Sequence, residues 1–166
     1  RTVFAPLAAR LGIGQLKWEL EDLAFRYTDE TIYMGIAQSL SGKRADREKQ
    51  VNFLEDKIRG ILRGQGINAE VMGRAKHIFS IWRKMQAKSV SFDRVYDVSA
   101  VRVIVPRLAD CYASLGVVHN TWPHIPSEFD DYIANPKENG YQSIHTALTL
   151  DDGNTLEVQI RTEEMH

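Results

Sequence analysis

Between Gly73 and Lys88 the sequence GRAKHIFSIWRKMQAK carries five basic side chains, Arg74, Lys76, Arg83, Lys84 and Lys88, and no acid. The 166-residue chain has a formal net charge of -1, so this excess is local. On a helix, Lys76, Ser80 and Lys84 recur at four-residue intervals with Arg83 beside them, while Ile78, Ile81, Trp82 and Met85 turn the other way. One face could then meet a polyphosphate. A helix start near Ala75 or Lys76 would add unpaired N–H groups and the positive end of the helix dipole. The same stripe also fits an ordinary amphipathic helix with a basic solvent face. It is not a P-loop, because no glycine-rich loop ending in Gly-Lys-Ser/Thr is present.

Two carboxylates fall in stretches that read as strands. Asp97 opens DVSAVRVIV, and Glu157 lies in TLEVQIRT, where alternation groups Glu157, Gln159 and Arg161 on one face against Leu156, Val158 and Ile160. Carboxylates converging from different strands supply hard oxygen ligands for Mg²⁺ and a base for an attacking hydroxyl. Each also fits a solvent-facing acid. Strict alternation sets Asp97 and Arg102 on opposite faces, so a shared ligand requires a bulge or a strand edge between them. A third group, NPKENGYQSIH, holds Lys137, an Asn139-Gly140 turn, Tyr141, Gln142 and His145. Alternation places His145 opposite Ile144, Thr146 and Leu148. A tyrosine just after such a turn can offer its ring to a base, or it can simply pack on a neighbour.

The elements that must position these groups can be read from periodicity. From Val3 to about Arg63 the pattern is helical, with Leu16, Leu20, Leu23 and Tyr27 as one apolar stripe and Val51, Leu54, Ile58 and Ile61 or Leu62 as another. Gly64 and Gly66 end it. The many charges of the second stretch read as a solvated face. INAEVMGR reads as a strand leading into the basic helix, which runs to about Lys88. YDVSAVRVIV is a β-branched strand stopped by Pro106, and ADCYASLGVVHNTW is a helix. SIHTALTL and NTLEVQIRT form a hairpin about Asp152-Gly153. The expected fold is α/β or α+β, a mixed sheet flanked by helices behind a helical lead-in. Residues 1–66 are expected to form the lead-in and 67–166 the sheet domain.

Composition narrows the function classes. With 43% hydrophobic residues the chain can bury a core, and its near-zero charge argues against a globally basic nucleic-acid surface. The basic stripe also lacks the interleaved exposed aromatics of a single-strand binder, so no direct nucleic-acid binding is expected. Cys111 is the one cysteine, which excludes an internal disulfide and suits a reducing cytoplasm. No apolar run approaches membrane-spanning length. The start at Arg1 suggests a piece of a longer polypeptide.

Four stretches, GRAKHIFSIWRKM, YDVSAVRVIV, EFDDYIANPKENGYQSIHT and LEVQIRTEEMH, resemble in order and separation the synthetase domain of the RelA/SpoT family. The lead-in FAPLAARLGIGQLKWELEDLAFRY is similar to the segment joining that family's hydrolase domain to its synthetase. The resemblance implies a nucleotidyltransferase-like fold and the synthesis of (p)ppGpp, in which the 3'-hydroxyl of GTP or GDP attacks the β-phosphorus of ATP and AMP leaves. It implies Mg²⁺ held by Asp97, with Glu157 activating the hydroxyl or sharing the metal. By the same resemblance Arg74 and Arg102 sandwich adenine, Lys76, Ser80 and Lys84 contact the ATP phosphates with Arg83 beside them, and Tyr141 stacks on guanine. Lys137, Asn139, Gln142, His145 and Gln159 surround that acceptor site.

The sequence departs from the family at Ala75, where proline is common, and at Glu138, where alanine or proline is usual. Glu128, Asp130 and Asp131 in EFDD resemble the acidic form of synthetase-only members rather than the basic form of those that also degrade the alarmone. The hydrolase His-Asp metal motif is absent from this stretch, so no hydrolysis is expected of it. The family domain continues past Met165-His166, so a C-terminal truncation is expected, and contact with the ribosome is expected only through regulatory domains outside this sequence. The competing expectation is a non-catalytic guanine-nucleotide-binding module of the same fold. Retention of Asp97 and Glu157 together argues against it.

Overall fold

The computed structural model describes residues 14–74, 77–96 and 98–166. Lys76 and Asp97, and the helical expectation for residues 3–13, lie outside the described residues. The chain divides into two compact units, one of residues 1–46 and 75–96, the other of residues 47–74 and 97–166.

In the first unit, α1 (Gly14–Thr28), the opening half of α2 (Glu30–Gly64), α3 (Ile78–Lys88) and α4 (Phe92–Tyr96) enclose a small core. Ile36, Ile81 and Val95 are buried there, with Leu40, Ile78, Trp82 and Met85 packed against them. The apolar face read for the basic helix is therefore correct, and Phe79 joins it. The rings of Phe25, Phe79 and Trp82 sit 5.1 to 5.9 Å apart between centroids. The stripe expected on α1 is not the buried one. Leu23 and Tyr27 are 50% and 81% exposed, while Glu21, Ala24 and Phe25 face inward. Leucine spacing points to one face, but the large Phe25 ring finds an aromatic cluster on another, and that contact sets the rotation of the helix.

The second unit is a five-stranded mixed sheet with order β1-β2-β5-β4-β3, built from β1 (Glu70–Gly73), β2 (Ser99–Val105), β3 (Asp130–Asp131), β4 (Ile144–Thr149) and β5 (Thr155–Thr162). Only β2 and β5 run parallel; the other pairs are antiparallel. The hairpin about Asp152-Gly153 forms as expected, closed by Leu150 N–H donating to Asn154 O at 2.8 Å. One sheet face is apolar. Val101, Val103, Val105, Ile144, Leu148, Leu156, Val158 and Ile160 form one buried cluster with Leu54, Ile58 and Leu62 of α2 and Cys111 and Val118 of α5 (Leu108–Thr121). The second half of α2 thus serves the sheet core, and its predicted stripe is the one that is buried. Among the described residues no helix is long and apolar enough to cross a membrane.

Candidate active site

The opposite face of the sheet is polar, and strand register organises it. Arg102 on β2 pairs with Gln159 on β5, Gln159 with His145 on β4, and His145 with Asp130 on β3. Because paired residues point to the same side, Arg102, Gln159, His145 and Asp130 form one transverse row. Two residues along β5 in either direction, Glu157 and Arg161 share that side, as the alternation of TLEVQIRT predicts. Every residue of β2 is buried except half-buried Arg102, so a guanidinium interrupts the apolar run from Ala100 to Val105 of an interior strand. Such a charge is tolerated where it has partners or an anion to meet.

Three arginines approach one another on this face. Arg74 continues β1 by donating its backbone N–H to Ala100 O at 3.0 Å. Burial, then Arg161 and Arg74, hold the Arg102 pKa below its ordinary value. Burial and Arg74 do the same to Arg161, against the opposing influence of Tyr141. Mutual repulsion of partly desolvated cations marks a surface suited to polyanions.

Tyr141 stands over this row. Its ring lies 5.4 Å from Lys137 Nζ and 5.2 Å from the Arg161 guanidinium carbon. Arg161 Nη2 donates to Tyr141 Oη at 2.9 Å and to Gln159 Oε1 at 2.7 Å, and Tyr141 Oη lies 2.7 Å from His145 Nε2. The tyrosine oxygen accepts from Arg161 and keeps a second lone pair and its own proton, so the direction of its bond to Nε2 follows the histidine tautomer. Burial, then Arg74, Lys137 and Arg161, push the His145 pKa down to about 4, although Asp130 opposes them. His145 is therefore neutral near pH 7. Tyr132 completes the wall, edge-on to His145 at 5.2 Å and with Lys137 Nζ 4.7 Å from its ring centre.

The remaining predicted acceptor residues shape the loop. Gly140 takes a φ of +82°, which favours glycine, and its N–H donates to Lys137 O at 2.8 Å. Asn139 Oδ1 accepts from Tyr141 N–H at 3.0 Å, so its side chain closes the turn that presents the tyrosine. Gln142 Nε2 reaches Ile133 O at 3.4 Å. The EFDD acids part company. Asp130 faces His145, whereas Asp131 accepts from Ile133 N–H, Ala134 N–H and the Tyr112 hydroxyl at 2.8 to 3.0 Å and so holds the chain after β3. Glu128 ends a 3-10 turn, Pro126–Glu128, and is exposed.

Half-buried Glu157 is flanked in register by Ala100 and Ala147. Neither neighbour brings a second charge to the carboxylate, whose donor type suits Mg²⁺. Among the described residues no group of three His, Cys, Asp or Glu side chains gathers as a metal site, and Asp97, the other expected ligand, is outside them. A broad groove of about 910 Å³ lies elsewhere in this unit, along Ile61, Gly66, Ile67, Ala113 and Val117, away from the polar row.

In the first unit, α3 presents half-buried Ser80 and exposed Arg83 and Lys84; Arg83 also lies 5.7 Å from the Phe79 ring centre. The helix starts at Ile78, later than the sequence suggests, because His77 is extended (φ -82°, ψ 140°). Its first N–H groups are not open to phosphate. Asp22 of α1 accepts from Phe79 N–H at 2.8 Å and from Ile78 N–H at 3.2 Å. A carboxylate already occupies the positive end of the dipole, in place of the anion expected there.

Two residues of the polar face escaped sequence reasoning as site members. Arg161 was legible from its alternation with Glu157 and Gln159, but a basic residue near a strand end carries no signal of burial. Tyr132 gave no sequence signal.

Residues 73–166 match the family described as a region found in RelA / SpoT proteins. The chain is 57% identical over 164 residues to a GTP pyrophosphokinase of Photobacterium angustum and 56% identical over 164 residues to one of Escherichia coli strain K12. Each alignment covers 99% of this chain and 22% of the relative, so the chain spans about a fifth of the length of these curated relatives. The crystal structure of small alarmone synthetase 1 from Bacillus subtilis bound to its product pppGpp is similar with a TM-score of 0.58 and 24% identity, over 77% of this chain and 76% of that one, a likeness of fold.

Proposed function

The chain belongs to the RelA/SpoT family, and from that premise we propose that it makes (p)ppGpp by transferring a pyrophosphoryl group from ATP to the 3'-hydroxyl of GTP or GDP. The observation that carries this reading is the transverse row Arg102–Gln159–His145–Asp130 with Arg161 and Tyr141 beside it, a polar and cationic surface on one face of an otherwise apolar sheet. In the transfer the acceptor's 3'-oxygen bonds to the β-phosphorus of ATP. The bond from that phosphorus to the α–β bridging oxygen breaks, and AMP leaves with the electron pair. The hydroxyl proton passes to a base, for which Glu157 is the proposed carboxylate.

On this reading Tyr141 stacks on guanine, with Lys137, His145 and Gln159 around the acceptor. Asn139 and Gln142 act by shaping its loop. Arg74 and Arg102 hold the adenine, and Lys76, Ser80, Arg83 and Lys84 serve the ATP phosphates. Asp97 and Glu157 are the ligands proposed for Mg²⁺, which when bound offsets the charge developing on the transferred group. Asp130 in the polar row accords with a synthetase-type EFDD motif, and the nucleotide substrates accord with a cytoplasmic enzyme.

The test is to incubate the full-length protein containing this chain with ATP, GTP and Mg²⁺ and to resolve the nucleotides by chromatography. Formation of pppGpp and AMP, lost in Glu157→Ala with an unchanged unfolding midpoint, supports the reading. GTP binding without product, or full activity in Glu157→Ala, refutes it.

A further inference from the structure

We propose that Arg161 is a positioning residue for the acceptor nucleotide: anchored on Gln159, its guanidinium fixes the Tyr141 hydroxyl and so sets the plane of the ring that receives the base. The proposal rests on the acceptor reading of Tyr141 given above. Tyr141 lies in the irregular segment between β3 and β4, and loops are the more mobile parts of a fold. A tyrosine held only by its backbone there samples several rotamers, and ordering it when a ligand arrives weakens binding.

The structure supplies a clamp from the sheet instead. Arg161 is 7% exposed on β5, and β5 is paired on both sides, with β2 and with β4. Its Nη2 donates to Gln159 Oε1 at 2.7 Å, which fixes the guanidinium, and to Tyr141 Oη at 2.9 Å. The tyrosine hydroxyl then lies 2.7 Å from His145 Nε2 on β4. The far end of the ring is thus held from two strands while its near end is held by the Asn139 turn. Arg161 Nε is buried and has no hydrogen-bond partner among the described residues, so direct contact with a nucleotide is the competing role that a test must separate.

A double-mutant cycle in the full-length protein makes the separation, with KM measured for GTP and for ATP. Tyr141→Phe keeps the ring and removes the hydroxyl. It is expected to raise the KM for GTP roughly threefold to tenfold, the worth of one hydrogen bond, and to leave the KM for ATP unchanged. Arg161→Met is expected to raise the GTP KM at least as much, Arg161→Lys to recover part of it, and the double variant to be no worse than Arg161→Met alone. Should Arg161→Met fail to fold, Arg161→Lys takes its place in the cycle.

A wild-type GTP KM in Tyr141→Phe overturns the proposal, as do effects that multiply in the double variant or a parallel rise of both KM values. Tyr141→Ala distinguishes the two levels of argument. If it leaves the GTP KM unchanged, the acceptor reading itself fails. If it raises the GTP KM while Tyr141→Phe does not, only the positioning role fails.

Discussion

His145 should make the folded protein lose stability as the solution is acidified, and its replacement by glutamine should remove that loss. The imidazole lies among Arg74, Lys137 and Arg161, with Asp130 opposite it in register and the Tyr141 hydroxyl on Nε2. Burial and the three cations lower its pKa from 6.5 to about 4. Between those values the unfolded chain binds the proton and the folded chain does not, so stability rises with pH through this window and is flat above it. Going from pH 7.5 to pH 5.0 then costs about 2 kcal/mol for an unscreened group at 1.36 kcal/mol per pH unit. His145 is only half-buried and solvent screens part of the field, which brings the figure to about 1 kcal/mol.

The assay is guanidinium unfolding of wild type and His145→Gln at both pH values, read as the difference of differences so that other histidines cancel. Wild type should lose about 1 kcal/mol more than the variant over this range. Equal losses, or a larger loss in the variant, refute the reasoning. So does an NMR titration that places the His145 midpoint above 6, because the cationic surroundings would then be absent.

Asp22→Ala should destabilise the protein by about 1–2 kcal/mol, since it strips the acceptor from Ile78 N–H and Phe79 N–H, and Asp22→Asn should restore most of it; thermal unfolding reads both. Gly73→Ala should cost about 1–3 kcal/mol in the same measurement, because the new methyl would overlap Val51 Cγ1 and crowd Glu55 Oε1 at 3.1 Å. Cys111 is buried with its thiol pKa pushed up to about 11, so it should resist thiol reagents until denaturant is added; rapid labelling of the native protein would contradict its placement.

Much of the fold was open to reading because each element carries its own period. Leu54, Ile58 and Leu62 repeat at helical spacing and are buried, and the alternation of TLEVQIRT sends Leu156, Val158 and Ile160 into the same core. Asp152-Gly153 announces its hairpin through turn chemistry alone. On α1 the spacing predicts a buried leucine face, and tertiary packing buries Phe25 instead. The basic helix shows the same limit. Its apolar face was evident, but a cap supplied by Asp22, 56 residues before Ile78, leaves no local trace.

The sequence by itself determined which residues share a face: Glu157, Gln159 and Arg161 on one strand, His145 on another, with the Asn139-Gly140 turn presenting Tyr141. Those facts follow from a two-residue strand repeat and from the backbone a turn requires, both local properties. Only the tertiary structure decided that Arg102, Gln159, His145 and Asp130 align in one row and that Arg161 holds the Tyr141 hydroxyl. Register depends on how whole strands pair and on which faces they must bury together, so a single slip by one residue would have dispersed that row.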